Sequence, residues 1–170
     1  MISKLIVKTA YANVYDEPSF TSQMVSQALF FEQLDVISEH DSWYRVNQWD
    51  GYSGYIHKFY LSNSFDKNDE KYDKLLISDR LLYLYRTKDF KGEGMLAPFG
   101  SEILVEESND IFKTLMVDNE SYYFKHHQNI LNKDTRTEII NNGKKLLGSP
   151  YLWGGKTPFG YDCSGFVQSV

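Results

Sequence analysis

The chain has 170 residues, 42% of them hydrophobic and 24% charged, which excludes a disordered or low-complexity protein and allows one large domain or about two or three small ones. A net charge of −5 offers no basic surface to nucleic acid or to an anionic membrane, and no apolar run has transmembrane length. One cysteine, Cys163, excludes an internal disulfide and suits a reducing compartment.

The amino end, Met1 to Lys8, lacks the continuous apolar core of a signal peptide, so a cytoplasmic protein is expected. An upstream start would instead make it secreted or wall-associated. Residues 5–61 then read as short strands broken by turns. Leu5 to Tyr15 is one apolar stretch closed by Asp16-Glu17-Pro18-Ser19. Leu34 and Val36 alternate with polar neighbours, and Trp43 to Trp49 is a strand turned at Asp50-Gly51. Residues 77–124 repeat this order more faintly. Leu81 to Arg86 echoes Ala10 to Tyr15, Pro98 to Val105 echoes Phe30 to Ile37, and Ile111 to Phe124 echoes Trp43 to Ile56. Two copies are too few for a solenoid. With 13 Tyr and 11 Phe to fill thin cores, they predict two small β barrels, over 1–62 and 72–126. The polar run Asn63 to Lys74 joins them. His126-His127 does not predict a metal site, because adjacent strand residues point apart and no other ligands cluster nearby.

Residues 134–147 read as a helix, with Thr135 to Glu138 as a capping box. Ile139, Ile140, Gly143, Leu146 and Leu147 line one face, and Gly148 and Pro150 end it. A Gly/Pro-dense run follows and leads to Cys163. Cys163, Phe166, Val167 and Val170 share one face of a second helix, with Asp162 as its cap. A cysteine in a first helical turn is favoured as a thiolate nucleophile by the backbone N–H groups, although the carboxylate beside it opposes this. By spacing alone, a buried structural cysteine fits equally well.

The residues themselves go further. The run from Gly148 to Gln168 resembles the active-site segment of the NlpC family of bacterial cell-wall cysteine peptidases. The family pattern is roughly G-x-P-Y-x-W-G-G-x-T-P-x-G-x-D-C-S-G-F-x-Q. It is met by Gly148, Pro150, Tyr151, Trp153, Gly154, Gly155, Thr157, Pro158, Gly160, Asp162, Cys163, Ser164, Gly165, Phe166 and Gln168. The first barrel resembles the bacterial SH3-like domains that precede such peptidases. Ser26 to Glu32 is similar to S-Q-x-L-[FY]-G-E, and Asp50 to Tyr55 to D-G-Y-x-G-W; Phe31 stands where the pattern has Gly, and Tyr55 where it has Trp. The fold class implied is mainly β with an α+β tail: two SH3-like barrels, then over 133–170 the first helices of a papain-like NlpC-type domain.

That resemblance implies hydrolysis of murein peptides after γ-D-glutamate, with Cys163 as nucleophile and Tyr151 near the oxyanion position. Glu32, Tyr52, Asp162 and Ser164 would bind a free amino-terminal L-alanine. Taken without the resemblance, Glu32 is a solvated turn charge and Tyr52 a barrel aromatic. No metal or organic cofactor is implied. The family's base is a histidine well after the cysteine, and none of His40, His57, His126 and His127 matches it. These residues are therefore expected to be an inactive fragment, a truncated remnant, or one part of an enzyme completed by a second polypeptide. The alternative is a non-catalytic module that binds wall peptides. Without the sheet it should pack on, 148–170 is expected to be poorly ordered, with Phe166 and Val167 exposed.

Overall fold

A computed structural model describes residues 4–63, 72–108, 111–114, 116–125 and 135–170. Most of the joining run, 64–71, and the His126-His127 pair lie outside the described residues. The first sheet contains β1 (Lys4–Val7), β2 (Tyr11–Tyr15), β3 (Met24–Leu29), β4 (Gln33–His40), β5 (Trp43–Asn47), β6 (Ser53–His57) and β7 (Leu61–Asn63). All its pairings are antiparallel, in the order β3-β2-β6-β5-β4-β1-β7. The stretch expected to be continuous from Leu5 to Tyr15 is two strands. It breaks where Lys8 N–H turns to Tyr60 O and Ala10 O receives Phe30 N–H. Period-two burial supplies the core: Ala12 and Val14 from β2, Val46 from β5 and Ile56 from β6.

The second sheet holds β8 (Asp73–Leu76), β9 (Leu81–Tyr85), β10 (Gly94–Pro98), β11 (Glu102–Ser108), β12 (Ile111–Thr114) and β13 (Tyr123–Phe124). Its order is β10-β9-β13-β12-β11-β8, the order of the first sheet without β7. The faint repeat is therefore one topology used twice. Two of the three sequence echoes are one residue out. Phe31 N–H bonds Val7 O and Gly100 N–H bonds Ile77 O, so Phe31 corresponds to Gly100. Both have left-handed backbones, with φ of 68° and 87°. In the third echo Asn119 (φ 65°) takes the place of Gly51 (φ 88°), in the register expected.

The sheets share a core. Ile6, Phe30 and Phe31 of the first cluster with Ile77, Leu84, Ile103 and Phe124 of the second. Phe31 is 1% exposed, which explains a phenylalanine where the left-handed backbone suits glycine: its ring fills the junction. At the edge, Lys8 Nζ lies 2.7 Å from Asp118 Oδ2, and Ser62 Oγ donates to Asp118 Oδ1 at 2.5 Å. The lysine, then the serine, hold the Asp118 carboxyl below its usual pKa.

The last part has α1 (Thr135–Lys145), the short hairpin β14 (Lys156–Thr157) and β15 (Gly160–Tyr161), and α2 (Cys163–Ser169). Gly148, at φ 83°, makes the left-handed turn expected after α1. Arg80 fixes that end by donating to Leu147 O at 2.8 Å and Ser149 Oγ at 3.1 Å. The apolar face expected of α1 is only partly buried. Leu146 packs with Phe99, Tyr161, Phe166 and Val170, whereas Ile139, Ile140 and Leu147 are exposed. Among the described residues no helix is long and apolar enough to cross a membrane.

Candidate active site

Asp162 precedes α2 in an extended conformation (φ −93°, ψ −179°) and caps it as expected. Its Oδ1 accepts the N–H of Gly165 at 2.7 Å and the hydroxyl of Ser164 at 2.8 Å, and its Oδ2 accepts the N–H of Gly154 at 2.9 Å. Burial disfavours the charged carboxylate, but these donors, led by Gly165 N–H, outweigh it and hold the Asp162 pKa below normal. Cys163 is the first residue of α2 and is exposed. Packed only against the described residues, it is not buried as a structural cysteine would be.

Close backbone approach shapes the turn before it. Gly154 has φ 71°, and a Cβ there would lie 3.0 Å from Met24 O of β3. A Cβ on Gly165 would lie 2.1 Å from Gly155 O, so only glycine lets α2 rest on this loop.

The segment is not left without a surface, contrary to the sequence expectation: it docks on the first sheet. Gln27 on β3 is 1% exposed. Its Oε1 accepts Lys156 N–H at 2.9 Å and Thr157 Oγ1–H at 3.2 Å, while its Nε2 donates to Asn13 Oδ1 at 3.0 Å. Ser26, Gln27 and Ala28 are buried in succession, because both faces of β3 are covered. Lys156 Nζ reaches Asp50 Oδ2 at 2.5 Å, with side chains only 7% and 5% exposed, and lies 5.6 Å from the Trp49 ring centroid. Phe159 meets the Tyr11 ring at a tilt of 34°, with centroids 5.6 Å apart. The exposure expected of α2 holds for Val167 (71%), whereas Phe166 packs edge-on against Tyr161.

A narrow groove, too tight in this structure to admit a water molecule, runs along this joint. Tyr52 and Ser26 of the first sheet line one side, and Asp162 and Ser164 the other. The Ser26 hydroxyl is buried with no partner among the described residues. Three of the four residues expected to bind one amine are thus together. Glu32 is not among them. It lines a neighbouring cavity of about 660 Å³ between the two sheets and the helices. Its Oε2 accepts Leu29 N–H at 2.9 Å and its Oε1 accepts Gln48 Nε2–H at 2.9 Å, so both oxygens serve the barrel. Burial pushes its pKa up despite those bonds and the nearby Lys156. Neither is it the solvated turn charge that the residues alone allowed. Tyr151 is 70% exposed and bridges by its backbone to Tyr161, two residues before Cys163.

His40 contacts Ser38 Oγ at 3.0 Å, and His57 Nδ1 accepts Phe59 N–H at 3.2 Å, so both are engaged within the first sheet. Among the described residues no group of three or more His, Cys, Asp or Glu could hold a metal ion. Sequence reasoning missed Gln27, Asp50 and Lys156 as the docking residues. Gln27 and Asp50 stand at specified positions of the quoted motifs, and Lys156 at an unspecified one. Lys156, a lone charge in an apolar and Gly-rich run, was the available signal.

An exposed cysteine on a capped helix, docked on a seven-stranded sheet, agrees with what comparison with known proteins finds. Residues 10–62 match the bacterial SH3 domain family, and residues 148–170 match the NlpC/P60 family. The chain is 32% identical over 155 residues to the gamma-D-glutamyl-L-lysine dipeptidyl-peptidase of Bacillus subtilis, covering 85% of this chain and 51% of that protein. It is 24% identical over 168 residues to the protein of the same name from Bacillus cereus, covering 88% and 50%. The chain thus spans about half the length of these curated relatives. A crystal structure of an NlpC/P60 family protein from Bacillus cereus shares the fold, with a TM-score of 0.79 at 19% identity over 96% of this chain and 70% of that one. In both matched segments the chain is similar to NlpC-type cell-wall peptidases.

Proposed function

We propose that the chain is the nucleophile-bearing, substrate-reading part of a peptidoglycan peptide hydrolase. The observation that carries this is Cys163, exposed at the first turn of α2 and adjacent in sequence to Asp162 and Ser164, which face Tyr52 across the cleft. The Cys163 thiolate attacks the γ-carbonyl of D-glutamate, a thioester forms, the diamino acid leaves as its protonated amine, and water releases the acyl group. The proton is carried by a base outside the described residues. Tyr151 stands near the oxyanion. The second sheet, with the strand order of the first, serves as a second SH3-like barrel, and α1 and α2 as the opening helices of a papain-like domain.

Tyr52, Asp162 and Ser164 read the free ammonium of an amino-terminal L-alanine, and Glu32, whose two oxygens serve the barrel, takes no part in that contact. The short link from Asp162 to Cys163 leaves room for L-Ala-γ-D-Glu alone. Such an enzyme acts on peptides already trimmed from the wall, in the cytoplasm. The names of the two Bacillus relatives support this substrate class.

L-Ala-γ-D-Glu-L-Lys is the test substrate. These 170 residues alone should leave it intact. Joined to the remainder of an NlpC/P60 domain, they should release lysine, and Cys163→Ala should abolish release. Acetylating the alanine should lower kcat/KM more than tenfold, since losing a charged, desolvated contact costs about 2–5 kcal/mol. Turnover that survives Cys163→Ala, or equal cleavage of acetylated and free peptide, would overturn the reading.

A further inference from the structure

The Lys156–Asp50 pair is unlike the other described ion pairs. Both its side chains are under one-tenth exposed, whereas the others range from 29% to 87%. A buried pair is poor ground for stability, because two charges are desolvated for one attraction. Its position suggests what it does instead. Lys156 belongs to the cysteine segment and Asp50 to the turn between β5 and β6. The second oxygen of Asp50, Oδ1, accepts the backbone N–H of Tyr52 at 3.2 Å. One carboxylate therefore holds Lys156 with one oxygen and the Tyr52 backbone with the other. Gln27 fixes the lysine backbone at 2.9 Å, and the Trp49 ring covers its ammonium. Two anchors on one residue leave the turn little freedom, and Tyr52 is its contribution to the cleft wall opposite Asp162 and Ser164.

We propose that Lys156 is a positioning residue: through Asp50 it sets Tyr52 against Asp162 and so fixes the width of the cleft between first sheet and cysteine segment. It touches no reacting atom. Resting on the reading of that cleft as an ammonium site, the inference makes Lys156 a determinant of free-amine specificity. Its absence should blur discrimination rather than slow chemistry.

The test has two arms on the 170-residue chain, and both use Lys156→Met and Lys156→Arg. Amide exchange reports position with no substrate present. Lys156→Met should speed exchange of Tyr52 N–H at least tenfold while amides of β4 and β5 keep their protection. Lys156→Arg, which retains the cation, should restore most of the loss. If the unpaired Asp50 unfolds the first variant, Lys156→Met/Asp50→Asn removes the stranded charge and should still release Tyr52. Unchanged Tyr52 exchange in a folded Lys156→Met chain overturns the proposal. Calorimetry with L-Ala-γ-D-Glu and its N-acetyl form is the second arm. The free dipeptide should bind wild type at least tenfold more tightly than the acetylated one, and Lys156→Met should shrink that ratio several-fold. If Tyr52 is released but wild type never distinguishes the dipeptides, the strut stands and the ammonium reading falls. If Tyr52 is released and the ratio is unchanged, the role of Lys156 in specificity is overturned.

Discussion

Two carboxylates near the joint respond to pH in opposite senses. Asp162 is held below its ordinary value of 3.8, so its contribution is fully present above that pH and is lost as pH falls through the native value. The NMR amide shifts of Gly154 and Gly165, its two backbone donors, should therefore move together only below pH 3.8. Glu32 is raised above 4.5, so the stability it contributes is fully present below that pH and is lost as pH rises through its native value. Glu32→Gln replaces one acceptor by a donor facing Leu29 N–H or Gln48 Nε2, and should destabilise at every pH. Its disadvantage against wild type should be full at and below pH 4.5 and should shrink toward neutrality, as read from urea midpoints. A gap that widens with pH would show that the Glu32 carboxylate is favoured by its surroundings.

Among the elements, the turn between β3 and β4 shows how a repeat can be legible and still misaligned. Its left-handed residue is glycine in the second sheet and phenylalanine in the first, so side-chain similarity pulls the alignment one residue away from backbone equivalence. The two-sheet core decides the exception. Phe31→Gly should relieve about 1–2 kcal/mol of backbone strain. It should also forfeit about 3–5 kcal/mol of ring burial. A net loss is expected, visible as a lower urea midpoint, with both sheets losing stability because the ring sits in their shared core. A midpoint equal to or above wild type would mean that the ring contributes little there. Helix α1 makes a related point: its pattern of Ile139, Ile140, Leu146 and Leu147 identified the helix, yet of these only Leu146 is buried.

For the molecule as a whole, the decisive contact is Gln27. A glutamine side chain can accept at its oxygen while donating at its nitrogen, so one residue ties β2, β3 and the cysteine segment. Gln27→Ala strands the buried Lys156 N–H and Thr157 hydroxyl, at about 1–3 kcal/mol for each group left unsatisfied. The expected outcome is local release. Amide protection should fall at Lys156 and across Gly165 to Ser169 while Val46 and Ile56 in the first core stay protected. Loss of protection everywhere at once would instead make docking a condition for folding of the first sheet.

Sequence alone determined the short strands, both helices, the cap at Asp162 and the cysteine motif. Each of these depends on residues near one another in the chain: period-two burial, a capping oxygen beside its N–H groups, a glycine where φ is positive. Tyr52, Asp162 and Ser164 could be placed together from the motifs because the resemblance carried their long-range relation. The tertiary structure decided the rest. Glu32 turned inward because Leu29 and Gln48 present donors to both its oxygens, which its exposure as a turn residue did not indicate. Lys156 became buried because Asp50, 106 positions away, meets it at the joint. A pair so distant in sequence leaves no periodic trace. Its partners are fixed only when β3 offers Gln27 as the peg on which the cysteine segment hangs.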